Sequence, residues 1–415
     1  MNKTFAIYTL GCKVNQEESA ALANVFVEHG WRQLPFGEAA DVCIVNTCTV
    51  TQIAEKKSRN MLRRALAANP QAYVVGTGCY VQMKPQEAAA IAGLDLLLGA
   101  NEKHLLFELA AAGAEQKREP AGPLVQVCPA AQACQYQELG NANSLTNRTR
   151  AFVKIEDGCN QFCSYCIVPH VRGPVRSRPL AAVLAEVRQL VAAGYQEIVL
   201  TGIHVGAWAA DGLAFADLVA AVAETPGLGR LRLGSVEPRE VSPKLLQLAA
   251  ENPVICPHFH IPLQAAADQI LQLMGRDYDM AYYTGLVADI RRLLPAAAIT
   301  TDIIAGFPGE DEVIFAAELE QVRRLAFALN QFIKAKRQSR AGLHLHNPLR
   351  SGGKGAGQTH PFHALIPLAP AIGVSIKLPN LLFLHPFGAG LRKFKHFQPS
   401  NTNITYNQYT YYKLY

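Results

Sequence analysis

The chain has 415 residues, half of them apolar, which is enough to bury the cores of two or three domains and too apolar for a disordered polymer. Its formal charge of +6 is unevenly spread: residues 331–415 hold 11 Lys or Arg and no Asp or Glu, leaving 28 basic against 33 acidic side chains in residues 1–330. A uniformly basic nucleic-acid coat is thereby excluded for the main body, where basic residues matter only as local clusters.

The opening run MNKTFAIYTLGC has one Lys and a short apolar stretch ending in Gly-Cys, which does not suit a signal peptide. No uninterrupted apolar run reaches transmembrane length. The expectation is a soluble, cytoplasmic chain with no membrane partner. Ten cysteines in that setting point to metal or redox chemistry rather than to a disulfide framework.

From the amino terminus, short β-branched runs alternate with helical stretches, the pattern of an open α/β domain with a parallel sheet. Strands are expected over residues 5–10, 42–46 and 73–75. Helices are expected over 16–28 and, with a basic character, over 54–68. Cys12, Cys48 and Cys79 each follow one of these strands, at the carboxyl rim where such sheets gather ligands. The alternative for each is a small buried hydrophobe. Cys43 falls inside a strand, and for it that alternative wins. Cys128, Cys134 and Cys256 have no comparable setting and read as bystanders.

Residues 119–150 turn to Ala, Gln, Asn, Gly and Pro without periodicity and read as a linker. From residue 151 the β/α rhythm resumes, with strands expected over 152–156, 197–201, 230–235, 258–263 and 299–304. Five such units suit a partial parallel barrel whose strand ends carry the active site. Just after the first of them comes Gly158-Cys159-Asn160-Gln161-Phe162-Cys163-Ser164-Tyr165-Cys166, three cysteines spaced C-x3-C-x2-C. Three thiolates on a four-iron cube leave one iron open for chemistry. A closed zinc site is the rival reading, with His170 as the fourth ligand.

The cysteine loop resembles that of the radical S-adenosylmethionine enzymes, and the run KIEDGCNQFCSYCIVPHVRGPVRSRP is similar to their methylthiotransferase branch. TLGCKVNQEES, VNTCTVT and GTGCYVQ resemble the three cysteine segments of that branch's amino-terminal domain. Gly-Cys-Lys-Val-Asn-Gln and Arg-Gly-Pro-Val-Arg-Ser-Arg look like the group acting on threonylcarbamoyladenosine in tRNA. The resemblance implies a methylthiotransferase domain over residues 1–118 and a radical S-adenosylmethionine barrel over 151–330. It implies two [4Fe-4S] clusters, one on Cys12, Cys48 and Cys79, the other on Cys159, Cys163 and Cys166.

By the same resemblance, the second cluster passes an electron to S-adenosylmethionine to release a 5′-deoxyadenosyl radical, and the first supplies sulfur. The methyl group comes from a second S-adenosylmethionine. Position in the family suggests Gly202 and Glu237 as contacts to that cofactor, tRNA as substrate and a flavodoxin- or ferredoxin-like protein as electron donor. Gln264-Ala265-Ala266-Ala267 stands where the family commonly has Gln-Ser-Gly-Ser, which removes hydroxyl groups from the rim.

Two basic sets could hold phosphates: Arg172, Arg176 and Arg178 beside the cysteine loop, and Lys56, Lys57, Arg59, Arg63 and Arg64 on the helix after Cys48. The resemblance stops near residue 330, where a last barrel strand and a small β domain are expected. Residues 331–415 instead hold no carboxylate and six of the twelve histidines, and read as an out-of-frame translation, with a basic RNA-binding tail as the alternative. The rival functions are a methylthiotransferase acting on a ribosomal protein, or a truncated inactive core that binds clusters and RNA.

Overall fold

The computed structural model describes residues 3–115, 122–140 and 149–327, together with the backbone of 410–414. The first half is α/β. β1 (Thr4–Thr9), α1 (Lys13–Glu28), β2 (Arg32–Gln33), β3 (Val42–Thr47), α2 (Gln52–Ala68) and β4 (Tyr73–Gly78) lead into α3 (Cys79–Met83) and α4 (Pro85–Ala89). β5 (Leu96–Leu98), α5 (Leu106–Glu115) and β6 (Leu124–Gln126) complete the unit. The six strands pair in parallel in the order β2-β1-β3-β4-β5-β6.

Alternation along the strands explains why both faces are covered. Ala6, Cys43, Val45 and Val74 meet Leu62 and Ala65 of α2 on one face, while Phe5, Ile44 and Val75 meet Leu22 and Phe26 of α1 on the other. Cys43, 1% exposed, is a plain core residue. β4 continues through Gly76-Thr77-Gly78, beyond the expected end at residue 75. The glycine at 76 serves packing: a Cβ there would come within 2.9 Å of Leu97 on β5. Residues 124–126, inside the stretch read as linker, add the sixth strand.

The second half opens with β7 (Ala151–Lys154). A short antiparallel ribbon, β8 (Glu156–Asp157) with β9 (Arg176–Ser177), brackets the cysteine loop and α6 (Val168–Arg172). There follow α7 (Leu180–Ala192), β10 (Glu197–Thr201), the hairpin of β11 (Ala209–Ala210) and β12 (Leu213–Ala214), α8 (Phe215–Ala223), β13 (Arg230–Leu233) and α9 (Pro243–Glu251). β14 (His258–His260), α10 (Asp268–Leu273), α11 (Met280–Leu293), β15 (Ala298–Ala305) and α12 (Glu312–Leu325) end the described core.

β7, β10 and β13 pair in parallel, as do β14 and β15. Bridges from Leu231 to Ile255 and from Ser235 to His260 join the two sets into the expected partial barrel. Val153, Ile198, Leu200, Leu231, Phe259 and Ile299 turn outward into one core with the helices. The alternate positions, including Lys154, Thr201, Arg232, His258, His260 and Asp302, therefore face the lumen.

The backbone of β16 (Thr410–Leu414) lies antiparallel against β15. The sixth barrel strand expected soon after residue 327, and the rest of the tail with its out-of-frame reading, lie outside the described residues. No helix among the described residues is long and apolar enough to cross a membrane.

Candidate functional site

Three strand ends bring Cys12, Cys48 and Cys79 to one rim. Cys12 caps the amino end of α1, Cys48 follows β3, and Cys79 opens α3 directly from β4. Two glycines in the left-handed region let the backbone turn there. At Gly11 (φ +101°) a Cβ would lie 3.1 Å from Cys48 Sγ, and at Gly78 (φ +92°) one would lie 2.5 Å from Asn46 Oδ1. Burial pushes the Cys48 thiol up to about 11, and the nearby Cys79 and Cys12 add to the effect. Burial also raises the Cys79 thiol, opposed by the cations Arg172 and Lys103. Cys48 and Cys79 are buried while Cys12 is exposed, and the three interact electrostatically, with Arg172 and Lys103 facing Cys79, a setting that suits ligation of a metal centre at the rim.

The second trio sits on the loop between β8 and α6. Cys159 N donates to Gly173 O at 3.0 Å, and Ser164 N donates to Met274 O at 3.0 Å, so the loop is tied at both ends. Gly158 (φ +91°) permits this, since a Cβ there would run into Pro174 O. Arg276 Nη1 donates to Cys163 Sγ at 3.1 Å and lies 3.5 Å from Tyr165 Oη, while its Nη2 pairs with Glu237. His204 Nδ1 lies 3.5 Å from Cys159 Sγ, and its Nε2 lies 2.6 Å from Glu240 Oε1. Burial would lower the His204 pKa, but these two partners outweigh it and push it up to about 10.

Donors aimed at sulfur fit a cluster, whose potential is set partly by such hydrogen bonds. The zinc reading fares worse. His170 is exposed and meets Phe162 edge-on, with ring centroids 5.6 Å apart.

Gly202 and Glu237 both border this loop. Gly202 admits the Glu156 carboxylate, which a Cβ would meet at 2.7 Å, and Glu156 Oε2 accepts from His204 N at 2.6 Å. Among the described residues, Glu156 Oε1 is buried without a hydrogen-bond partner. Burial, with Asp157 adding, pushes this carboxyl up to about 8. Burial raises the Glu237 carboxyl as well, against the pull of Arg276. Glu156, His204 and Arg276 were not singled out by the sequence, which offered no local motif for them.

One expectation is corrected. Arg172, Arg176 and Arg178 are 1%, 6% and 6% exposed and hold no open phosphate site. Arg172 spans the two halves of the chain: its Nη1 lies 2.5 Å from Glu18 Oε1 on α1 and 3.1 Å from Asp157 Oδ2, and its Nη2 lies 2.5 Å from Asn15 Oδ1. Lys103 and Lys154 also pair with Glu18. Arg176 binds Asn101 Oδ1 at 2.9 Å, and Arg178 pairs with Glu186 and Glu138. Their charge is consumed internally: Arg172 and Arg176 face buried or half-buried partners from the amino-terminal half, and Arg178 faces Glu186 on the following helix. On α2, by contrast, Lys56, Lys57, Arg63 and Arg64 are exposed, while Arg59 is engaged near Glu55 and Glu87.

Comparison with known proteins gives a consistent picture. Residues 4–99 match the Uncharacterized protein family UPF0004 and residues 153–322 the Radical SAM superfamily. The Threonylcarbamoyladenosine tRNA methylthiotransferase MtaB of Bacillus subtilis is 38% identical, over 80% of this chain and 74% of that protein. The enzyme of the same name from Thermotoga maritima is 36% identical, over 79% and 73%. A tRNA-2-methylthio-N(6)-dimethylallyladenosine synthase from Moorella thermoacetica is 36% identical, over 78% and 74%. Among solved structures, the radical S-adenosylmethionine methyltransferase TsrM of Kitasatospora setae superposes with a TM-score of 0.59 at 17% identity, covering 79% of this chain and 74% of that one. At that identity the likeness speaks for the fold alone.

Proposed function

Because the chain belongs to the radical S-adenosylmethionine methylthiotransferases, we propose that it converts N6-threonylcarbamoyladenosine beside the tRNA anticodon to its 2-methylthio derivative. Its cofactors are S-adenosylmethionine and two [4Fe-4S] clusters. When bound, these supply a carbon-centred radical at the barrel and sulfur at the amino-terminal sheet. The protein's share is placement. In this reading Cys159, Cys163 and Cys166 hold the barrel cluster, with Arg276 and His204 donating to its thiolates. Glu156, beside Gly202, and Glu237 offer acceptors to the polar end of S-adenosylmethionine. Cys12, Cys48 and Cys79 hold the second cluster.

The observation that carries the reading is the position of Arg172. It follows Cys166 closely in sequence, touches Glu18 and Asn15 on the helix that Cys12 caps, and acts electrostatically on Cys79. Both cysteine trios thus belong to one rigid arrangement, as a reaction that moves sulfur to a radical centre requires. Residues 1–118 serve as the sulfur-bearing domain and 151–330 as the radical domain. A flavodoxin- or ferredoxin-like donor supplies electrons, in the cytoplasm.

The test is mass spectrometry of tRNA nucleosides from cells lacking their own enzyme, with and without this chain. The methylthio form of threonylcarbamoyladenosine should appear only with it. The methylthio form of dimethylallyladenosine in its place would move the chain to the neighbouring branch, and neither product would sink the reading.

A further inference from the structure

Among the described residues, three polar atoms on the lumen face of β14 and β15 are buried and have no hydrogen-bond partner: His258 Nδ1, His260 Nε2 and Asp302 Oδ1. They do not belong to either cysteine site. Their own geometry is nevertheless fixed. His260 Nδ1 meets Thr300 Oγ1 at 2.9 Å, which orients the ring and turns Nε2 to the lumen, 3.5 Å from Asp302 Oδ2. His258 Nε2 lies 3.4 Å from the same hydroxyl. A row of oriented polar atoms buried without partners is a cost that a ligand would remove.

The row lies at the working end. His260 bridges Ser235, past the last residue of β13 and two residues before Glu237. Burial is the main influence on His258 and pushes its pKa down to about 4, with the cations Arg232 and Lys13 adding, so its ring is neutral and one nitrogen is free to accept.

We infer that His260 and Asp302, flanked by His258, form the seat of the target adenine in the RNA. The inference rests on the function proposed above. Adenine presents an acceptor, N7, beside a donor, the N6 amine hydrogen. His260 Nε2–H beside Asp302 Oδ1 is the complementary pair. Gripping the base by its N6–N7 edge leaves the opposite edge, with C2, free and turned away from β14 and β15. That is the carbon at which a 2-methylthio group must be installed. An unpaired loop base can be splayed into such a seat at small unstacking cost. The adenine of S-adenosylmethionine has the same edge, so the source must be distinguished by experiment.

The test uses the full chain with clusters reconstituted anaerobically, and an anticodon stem-loop RNA whose target adenosine is either native or 7-deazaadenosine, which lacks the N7 acceptor. At constant salt, the wild-type chain should bind the 7-deaza RNA roughly tenfold more weakly, as expected for one missing hydrogen bond. The His260→Phe and His260→Ala variants, which lack the donor, should bind the native RNA more weakly and should no longer distinguish the two RNAs, as a double-mutant cycle demands. S-adenosylmethionine binding, measured separately, should keep its wild-type affinity. Equal binding of both RNAs by the wild-type chain overturns the seat, and this arm needs no variant to fold. Loss of S-adenosylmethionine affinity with unchanged RNA discrimination also overturns it, assigning the row to the cofactor. Failure of the wild-type chain to produce any methylthio nucleoside from native tRNA would instead sink the functional reading.

Discussion

Arg276 Nη1 donates to Cys163 Sγ at 3.1 Å while the other arm of the same guanidinium pairs with Glu237. One buried side chain thus joins the cysteine loop to the end of β13. A cation donating to a thiolate stabilises the more negative, reduced state of a cluster held there. The Arg276→Gln variant should therefore have a lower midpoint potential for the barrel cluster, by on the order of 50 mV. An electron paramagnetic resonance titration of the reconstituted chain reads this directly. An unchanged potential would mean that Arg276 only packs the loop.

Glu18 is the second junction. Burial alone would raise its pKa, but Arg172, Lys103 and Lys154 outweigh burial and hold the carboxyl well below the usual range. Glu18→Gln leaves Arg172, Lys103 and Lys154 in a dry interface with Asp157 as the one remaining carboxylate among the described residues, which pairs with Arg172 and Lys154 but not with Lys103. The expected loss is roughly 3–5 kcal/mol, seen as a lower melting temperature for the full chain. Glu115→Gln is the control, because Glu115 is an exposed partner of Lys3 and should shift the melt little.

Glu318 supplies a pH dependence with a definite sign. Burial, with Glu310 adding, pushes its carboxyl up to about 7, and its Oε1 accepts from Ala266 N at 2.9 Å. A carboxyl whose folded pKa is raised binds its proton more tightly in the native state than in the unfolded one. Its favourable contribution is thus complete below the ordinary carboxylate range and is lost as pH rises toward about 7. Urea unfolding at pH 5 and pH 8 should show the wild-type chain losing up to roughly 3 kcal/mol relative to Glu318→Gln across that window. Parallel curves for the two proteins would exclude the effect.

Gly78 tests the amino-terminal trio. Replacing it with Ala forces a left-handed backbone onto a residue with a Cβ, and that Cβ would lie 2.6 Å from Thr47 O and 2.5 Å from Asn46 Oδ1. The strain falls on the peptide that presents Cys79. Gly78→Ala should reconstitute with one cluster's worth less iron, while the barrel cluster keeps its spectrum. Full iron in a folded Gly78→Ala chain would dissociate Cys79 from the ligand set.

What could be read in the sequence was what is local. The strands at 42–46 and 197–201 show themselves by β-branched runs, and the cysteines by their spacing or by their place after a strand. Arg276 and His204 could not be read, because their partners Cys163 and Cys159 lie 113 and 45 residues away. Arg172 misled for the same reason: beside the cysteine loop it looked like a phosphate ligand, yet its carboxylate partner Glu18 is 154 residues distant. Gly76 misled in the opposite direction, since a glycine that makes room for Leu97 looks in sequence like the end of a strand. Charge pairing and close packing are decided by the fold, and a linear pattern records only one member of each pair.

With the three loop arginines buried, the exposed cations of α2 are the better candidates for RNA phosphates. Lys56, Lys57, Arg63 and Arg64 are exposed on the helix that follows Cys48, and Thr51 caps its amino end by accepting from Ala54 N at 3.0 Å. If these side chains neutralise phosphates, binding must weaken with salt, because each neutralised phosphate releases condensed counterions. Replacing all four with Gln should reduce the slope of log affinity against log salt by about 0.7 for each single-stranded phosphate left without its cation, so by up to about 3. Filter binding of tRNA over a range of salt concentrations measures the slope. Because the change is on an exposed face, stability should move by less than about 0.5 kcal/mol. A slope equal to that of the wild-type chain would mark the face as merely solvated and place the phosphate-binding cations elsewhere on the protein.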